Sequence, residues 1–142
     1  MLHNLTIRPA ILEEESLIIA LWRNCNLVTS YNDPQQDFRF ARDKPNSNVL
    51  VGLTPEGNLI GSVMVGHDGH RGWVYYVATD PKYRNQGVGS TMMEAAEKWL
   101  KEKGIVKLML MVRETNIQAT EFYRRVGFEQ VPNVVMQKWL KG

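Results

Sequence analysis

A chain of 142 residues is long enough for one compact domain with a single core, and 44% hydrophobic with 23% charged residues is ordinary for a folded soluble protein. A net charge of +2 without a basic block gives no case for nucleic acid, and no apolar run nears the ~20 residues that cross a bilayer. The one cysteine, Cys25, excludes an internal disulfide and suits a reducing cytoplasm, the expected location; neither nucleic acid nor a membrane is an expected partner.

The opening MLHNLTIRPA has no basic region followed by an apolar core, so no secretory leader is expected. Leu5 and Ile7 alternate with polar neighbours and predict a first strand. Pro9 then opens a helical stretch with Glu13, Glu14 and Glu15 early, where the positive end of a helix favours them. Leu17, Ile18, Leu21, Trp22 and Cys25 recur at helical spacing and should face the core, so Cys25 reads as a small buried hydrophobe rather than a nucleophile. TSYNDP, Thr29–Pro34, is turn chemistry, and a short helix over Gln35–Arg42 follows. Asn48–Leu53 and Leu59–Gly66 predict strands around the turn TPEGN. HDGHRG, His67–Gly72, is the next tight turn and leads into a strand over Trp73–Ala78.

Val88, Met92, Ala95, Ala96, Trp99 and Leu100 fit one face of a helix over Val88–Lys103, which Gly104 is placed to end. Val106–Val112 reads as a buried strand, so Trp73–Val112 is strand, helix, strand, an order that needs a parallel pair joined by a right-handed crossover. Thr115 with Gln118 three residues on is a capping-box signature for a last helix, which Gly127 ends, with Glu121 and Arg125 paired at i, i+4 along it. Phe128–Val131 and Val134–Leu140 are expected as two closing strands around Pro132 and Asn133. The whole reads as one α/β (α+β) domain over residues 1–142. Its sheet should hold about seven strands, antiparallel except at the central parallel β-α-β crossover, with flanking helices.

The connection YRNQGVGS, Tyr83–Ser90, joins a strand to a helix and carries an arginine, two amide side chains and two glycines at i, i+2. Helix N-termini leave N–H donors unpaired and carry positive partial charge. Glycines permit the dihedrals of a concave nest and let an anion approach. The loop therefore suits a phosphate or pyrophosphate group, with Arg84 adding a formal charge. The Walker pattern lacks its lysine here, and the dinucleotide fingerprint finds Met92 in place of its third glycine. The alternative is a loop whose glycines serve packing alone.

Here the sequence resembles the GNAT superfamily of acetyl-CoA-dependent N-acetyltransferases. Their signature Gln/Arg-x-x-Gly-x-Gly/Ala stands as Arg84-Asn85-Gln86-Gly87-Val88-Gly89, after an apolar-x-x-x-Pro-x-Tyr run at Val77–Tyr83. Downstream, the Asn-x-x-Ala, Tyr and Gly-Phe of the family match Asn116, Ala119, Tyr123, Gly127 and Phe128. GHDGHRG with the upstream NDP is similar to the YpeA-like branch of bacterial acetyltransferases, and VRETNIQATEFYRRVGF also looks like the ribosomal-protein N-terminal acetyltransferases. Asn85 departs from the glycine of many members, and asparagine is among the residues that best tolerate positive φ.

The resemblance implies that backbone N–H groups from Arg84 to Ser90 (Arg84, Asn85, Gln86, Gly87, Val88, Gly89 and Ser90) hold the pyrophosphate of acetyl-CoA. It also implies that the strand Trp73–Thr79 splays from Val106–Val112, with pantetheine pairing along Val77, Ala78 and Thr79. An N–H near Val77 would polarise the acetyl carbonyl, as an oxyanion hole does. Tyr123 is the candidate acid for the leaving thiolate; Asn116, Ala119 and Tyr123 share one helix face at i, i+3, i+7. Asn116 caps its helix, contacts the coenzyme, or does both. Asp33, Asp68 and His70 are candidates beside the acceptor, with His70 able to take a proton near neutral pH. Against this, Asp68 and Gly69 suit a hairpin turn with His67 and His70 on its surface, and a water chain can serve as base.

Trp22 is expected in the core, Tyr31 and Tyr75 are possible pocket walls, and the seven methionines suit core filling. No metal is expected. The acceptor is a small-molecule amine or a peptide N-terminus, and exposed closing strands suit pairing in a homodimer. A non-catalytic acyl-CoA sensor is the rival class.

Overall fold

The computed structural model describes residues 4–141, so positions 1–3 and 142 of the expected domain lie outside the described residues. The described residues form two compact units, divided between Leu110 and Met111. In the first unit one sheet runs in the order β1 (Thr6–Pro9), β2 (Ser47–Leu53), β3 (Leu59–His67), β4 (Gly72–Thr79), β5 (Leu108–Met109). β1 to β4 pair antiparallel in sequence order, and β4 pairs parallel with β5 after the crossover through α3 (Val88–Glu102). Between β1 and β2 lie a 3-10 turn, Leu12–Glu14, and helices α1 (Glu15–Asn24) and α2 (Pro34–Ala41).

The sheet is covered on both faces. On one, Ile18 and Trp22 of α1 and Phe38 of α2 pack with Val49, Val51 and Ala78. Arg39 of α2 grips Glu15 of α1 through two hydrogen bonds of 2.6 and 2.9 Å. On the other face α3 lies so close that glycines must stand beneath it. A Cβ on Gly61 would meet Val88 Cγ1 at 2.9 Å, and one on Gly72 would meet Leu100 Cδ1 at 2.6 Å. Val88, Met92, Met93, Ala96 and Leu100 are the buried stripe of α3; Trp99 and Ala95 lie at its margin, half-buried.

Two helices of this unit end alike. Leu27 N–H donates to Trp22 O at 3.0 Å with Asn26 at φ 58°, and Ile105 N–H donates to Leu100 O at 3.0 Å with Gly104 at φ 79°. Both are Schellman ends, in which a left-handed residue lets the chain satisfy the last carbonyls. Leu17, expected in the core, is 60% exposed: it lies about 100° around α1 from Ile18, at the edge of the stripe.

The second unit holds α4 (Ile117–Arg125). Its N-cap is Asn116, one of the two caps expected, rather than the capping-box Thr115: Asn116 Oδ1 accepts from Ala119 N–H at 3.1 Å. Among the described residues the sheet has five strands, where about seven were expected. Phe128–Val131 and Val134–Leu140 form no strand, and Val106–Val112 contributes only Leu108 and Met109 to a ladder. Pro132 has no N–H for a ladder, and Val134, Val135, Met136 and Leu140 are all exposed, so the apolar pattern finds no face to bury. The strand edges on which a homodimer was expected are therefore not formed among the described residues.

Candidate active site

The glycine connection adopts the left-handed turns that its residues permit. Asp80 accepts from Lys82 N–H at 2.9 Å and opens a 3-10 turn, Pro81–Tyr83, anchored where Asp80 N–H donates to Ile60 O at 2.8 Å. Asn85 then sits at φ 62° and Gly87 at φ 83°, both left-handed, and Gly87 is the N-cap of α3. Asparagine and glycine are the residues that bear this conformation at least cost. The first amide of the helix with an acceptor is Thr91 N–H, which reaches Gly87 O at 3.1 Å. Among the described residues none accepts from the N–H groups of Gln86, Gly87, Val88, Gly89 or Ser90. A run of unpaired donors at the positive end of a helix suits an anion. The Arg84 guanidinium stands beside the Cys25 thiol, whose Sγ reaches Thr79 O at 3.2 Å. Burial raises that thiol's pKa, with the Thr79 bond and Arg84 pulling the other way, so Cys25 stays a neutral thiol tying α1 to the end of β4.

β4 reaches this corner through a break in its ladder. Ser62 pairs with Ala78 and Met64 with Tyr75, so Val63 alone stands opposite Tyr76 and Val77. That two-against-one count is a β-bulge. Tyr75 shares a face with Met64, and Tyr76 stacks on Trp22 of that same face, which strict alternation forbids. Tyr76 takes φ 51°, a conformation that is an outlier for a bulky side chain and costs about 1–3 kcal/mol. The surroundings hold it there. Its ring lies 3.8 Å from that of buried Trp22 at an interplanar angle of 14°, its hydroxyl donates to Asp37 Oδ2 at 2.7 Å, and its carbonyl accepts from Ser62 Oγ at 3.0 Å. Ser62 Oγ in turn accepts from Trp22 Nε1 at 3.0 Å. Burial, then the bond to Asp37, hold the Tyr76 phenol above its usual range, so it remains the donor. Beyond Trp73, the last residue paired with β5, the edge of β4 over Val74–Thr79 has no strand partner among the described residues.

In the second unit Tyr123 is half-buried on α4, edge-on to Phe122 (centroids 5.1 Å) and Phe128 (5.6 Å). Phe128 N–H donates to Tyr123 O at 2.9 Å, Gly127 N–H to Arg124 O at 3.1 Å, and Gly127 has φ 103°. The Tyr, Gly-Phe spacing is thus a Schellman end whose hydrophobic contact is the Tyr123–Phe128 ring pair. Burial pushes the Tyr123 phenol up to about 12, so it keeps its proton at neutral pH.

The remaining candidates have local duties. Asp33 is the N-cap of α2, its Oδ1 accepting from Gln35 and Gln36 N–H at 3.0 and 3.3 Å. Asp68 closes the β3–β4 turn: Oδ1 accepts from Arg71 and His70 N–H at 2.7 and 2.9 Å, and these bonds hold its carboxyl below the usual range. Gly69 supplies the turn's positive φ of 87°, and His70 is exposed. Asp68 and His70 sit beyond the Gly72 end of β4, roughly 15 Å along the strand from Val77. Tyr31 is exposed on the loop before α2, and Tyr75 is exposed on β4. No group of three or more His, Cys, Asp or Glu among the described residues is arranged to hold a metal. Ser62, Asp37 and the role of Tyr76 were not anticipated; the only trace in the sequence is a pair of tyrosines inside an apolar strand.

A family model described as Acetyltransferase (GNAT) family matches residues 16–128. An acetyltransferase of Pectobacterium atrosepticum is 35% identical over 123 residues, 87% of this chain and 86% of its own length. One of Yersinia pestis is 36% identical over the same shares. Among solved structures, the aminoglycoside 6'-N-acetyltransferase AAC(6')-Ih of Acinetobacter baumannii superposes with a TM-score of 0.80 at 19% identity, covering 98% of this chain and 100% of its own. AAC(6')-Iy bound to a bisubstrate analogue of coenzyme A gives 0.81 at 16% identity, covering 96% and 99%. At such identities the likeness is one of fold.

Proposed function

The chain belongs to the acetyltransferase (GNAT) family, with acetyl-CoA as co-substrate, and from that premise we propose that it transfers acetyl directly to a primary amine of a small molecule or peptide within a ternary complex. The observation that carries the site is the row of unpaired amides from Gln86 to Ser90 at the end of the open edge of β4. Those donors, with Arg84, fit a diphosphate; the backbone of Val77, Ala78 and Thr79 offers an extended edge on which the pantetheine amides can pair as an added strand does. Acetyl-CoA supplies a thioester carbonyl already open to attack.

The protein's part is to place donors and move protons. The acceptor amine, as an ammonium of pKa ~10.4, must first lose a proton to water. Its lone pair then forms the new C–N bond while charge grows on the carbonyl oxygen, toward which Val77 N–H donates. The C–S bond breaks with its electron pair on sulfur, the nitrogen gives up its second proton to solvent, and the Tyr123 hydroxyl, still protonated, gives the sulfur its proton and recovers one from solvent. Asn116 caps α4 with Oδ1 and has its amide NH2 for the coenzyme. Hydrogen bonding supports turn and cap roles for Asp33 and Asp68, so solvent is the base in this reading. A reducing cytoplasm is the setting it takes, in keeping with the one cysteine, which is unpaired.

Two measurements test the proposal. Calorimetry should detect coenzyme A binding that Arg84→Ala weakens. Acetyl transfer across amino acids, polyamines, aminoglycosides and short peptides should find an acceptor. Tyr123→Phe should bind coenzyme A as wild type does and lose on the order of a hundredfold or more in kcat. Unchanged turnover would remove Tyr123 from the mechanism, and binding without transfer to any amine would favour a sensor.

A further inference from the structure

We infer that Tyr76 and Ser62 are positioning residues for acetyl transfer: together they aim the amide of Val77. The inference rests on the proposed role of that amide.

The peptide group joining Tyr76 to Val77 is planar and trans, so its N–H points opposite to its C=O. Ser62 Oγ, on β3, holds the Tyr76 carbonyl at 3.0 Å. Fixing that carbonyl toward β3 turns Val77 N–H away from β3, toward the edge of β4 that has no strand partner. The restraint is closed on itself: Ser62 Oγ accepts from Trp22 Nε1 at 3.0 Å, and the Trp22 ring stacks on Tyr76 at 3.8 Å. A hydroxyl has one proton to donate and lone pairs to accept with, so this ring of contacts determines which way the Ser62 proton faces. The Tyr76 hydroxyl adds a fourth tie at Asp37, on α2.

A bulge needs none of this for stability. Glycine or asparagine would take φ 51° at less cost, and an unbroken ladder would avoid it. A tyrosine held there from three sides is the mark of strain kept for a purpose. The purpose the geometry points to is a donor whose direction is set before the substrate arrives, which is what oxyanion stabilisation requires.

The experiment compares Tyr76→Gly, Ser62→Ala and Tyr76→Phe by calorimetry with coenzyme A, by steady-state kinetics, and by isotope-edited infrared of bound acetyl-CoA labelled at the thioester carbonyl. Tyr76→Gly, which accepts φ 51° but is no longer confined to it by the stack on Trp22 and the bond to Asp37, should lose roughly a hundredfold in kcat, the scale of a misplaced donor, with coenzyme affinity within about twofold of wild type. Ser62→Ala should lose about tenfold in the same pattern, and decides the matter if Tyr76→Gly does not fold. The carbonyl band, shifted to lower frequency in the wild type, should move back toward its position in free acetyl-CoA in both. Tyr76→Phe, which keeps the stack, should restore kcat to within a few-fold. Folded Tyr76→Gly or Ser62→Ala with the wild-type band and kcat overturns the inference while leaving the proposed function intact. A wild type that binds no coenzyme A, or binds acetyl-CoA without a band shift, overturns the role of the amide and the inference with it.

Discussion

Replacing Gly61 by alanine should weaken coenzyme binding from beneath the amide row, without altering any residue of it. An added Cβ would stand 2.9 Å from Val88 Cγ1 and 3.2 Å from Met92 Cγ. Val88 is the first residue of α3, and a valine in a helix is confined to one χ1 rotamer, so it cannot swing aside. The first turn of α3 must lift instead. Overpacking of this kind costs about 1–3 kcal/mol. Removing a strand glycine recovers about 0.5–1 kcal/mol of that, for a net loss of about 0–2.5 kcal/mol, centred on roughly 1. For a chain of this length the central value corresponds to a fall of roughly 2–4 °C in Tm. The lift displaces the amides of Val88, Gly89 and Ser90, and losing one hydrogen bond to a charged group is worth about 1.5–3 kcal/mol. Calorimetry should then show a roughly ten- to hundredfold rise in Kd for coenzyme A. Gly72→Ala is the control: its Cβ would press on Leu100 Cδ1 at 2.6 Å, at the far end of α3, so Tm should fall comparably while Kd stays within about twofold. Equal effects of the two on Kd, or a Gly61→Ala protein with wild-type Tm and Kd, would refute the reasoning.

Asn85→Gly should keep both Tm and coenzyme affinity, because φ 62° suits either residue, whereas Asn85→Ala should cost about 1 kcal/mol and raise Kd; thermal melts with calorimetry decide. Asp33→Ala should remove the α2 cap for about 1 kcal/mol in chemical denaturation and leave the acceptor KM alone; a large change in KM would return Asp33 to the acceptor site. Arg8, hydrogen-bonded to Glu14 at 2.7 and 2.9 Å, lowers that carboxyl's pKa against its burial, aided by Ile11 N–H. A depressed carboxyl stabilises the fold above its unfolded pKa and loses that as pH falls through the folded one. Glu14→Gln should therefore lower Tm at pH 7 and flatten its decline toward acid pH. Tyr123 has the opposite sign: its raised pKa favours the neutral phenol, and the stability it contributes below the unfolded pKa near 10 is lost as pH rises toward 12. Tyr123→Phe should flatten that alkaline decline, and an unchanged decline would show that the phenol is not buried as described.

Much of the local geometry around the candidate site was legible because its signals are local. Gly87, Asn85 and the start of α3 follow from residues that accept positive φ next to a helical pattern. Gly104 and Gly127 end their helices as their positions suggest, and the Tyr123, Gly127 and Phe128 spacing is itself a helix end. Leu17 was misplaced because helical spacing defines a stripe but not its margin. Phe128–Val131 and Val134–Leu140 read as strands because an alternating apolar pattern records propensity, whereas a ladder also needs a neighbouring edge.

The amino-acid sequence by itself determined the order of strands and helices through the first unit, the glycine loop and the capped helix of the second. Each of these depends on residues within a few positions of one another. Tertiary structure alone decided that Tyr76 would bear a left-handed backbone, that Ser62, Trp22 and Asp37 would hold it, and that Gly61 and Gly72 would admit α3. These contacts join residues many positions apart in the chain, and no short window of sequence contains both partners. A bulge, moreover, is a mismatch between two strands, so it exists only once their register is set.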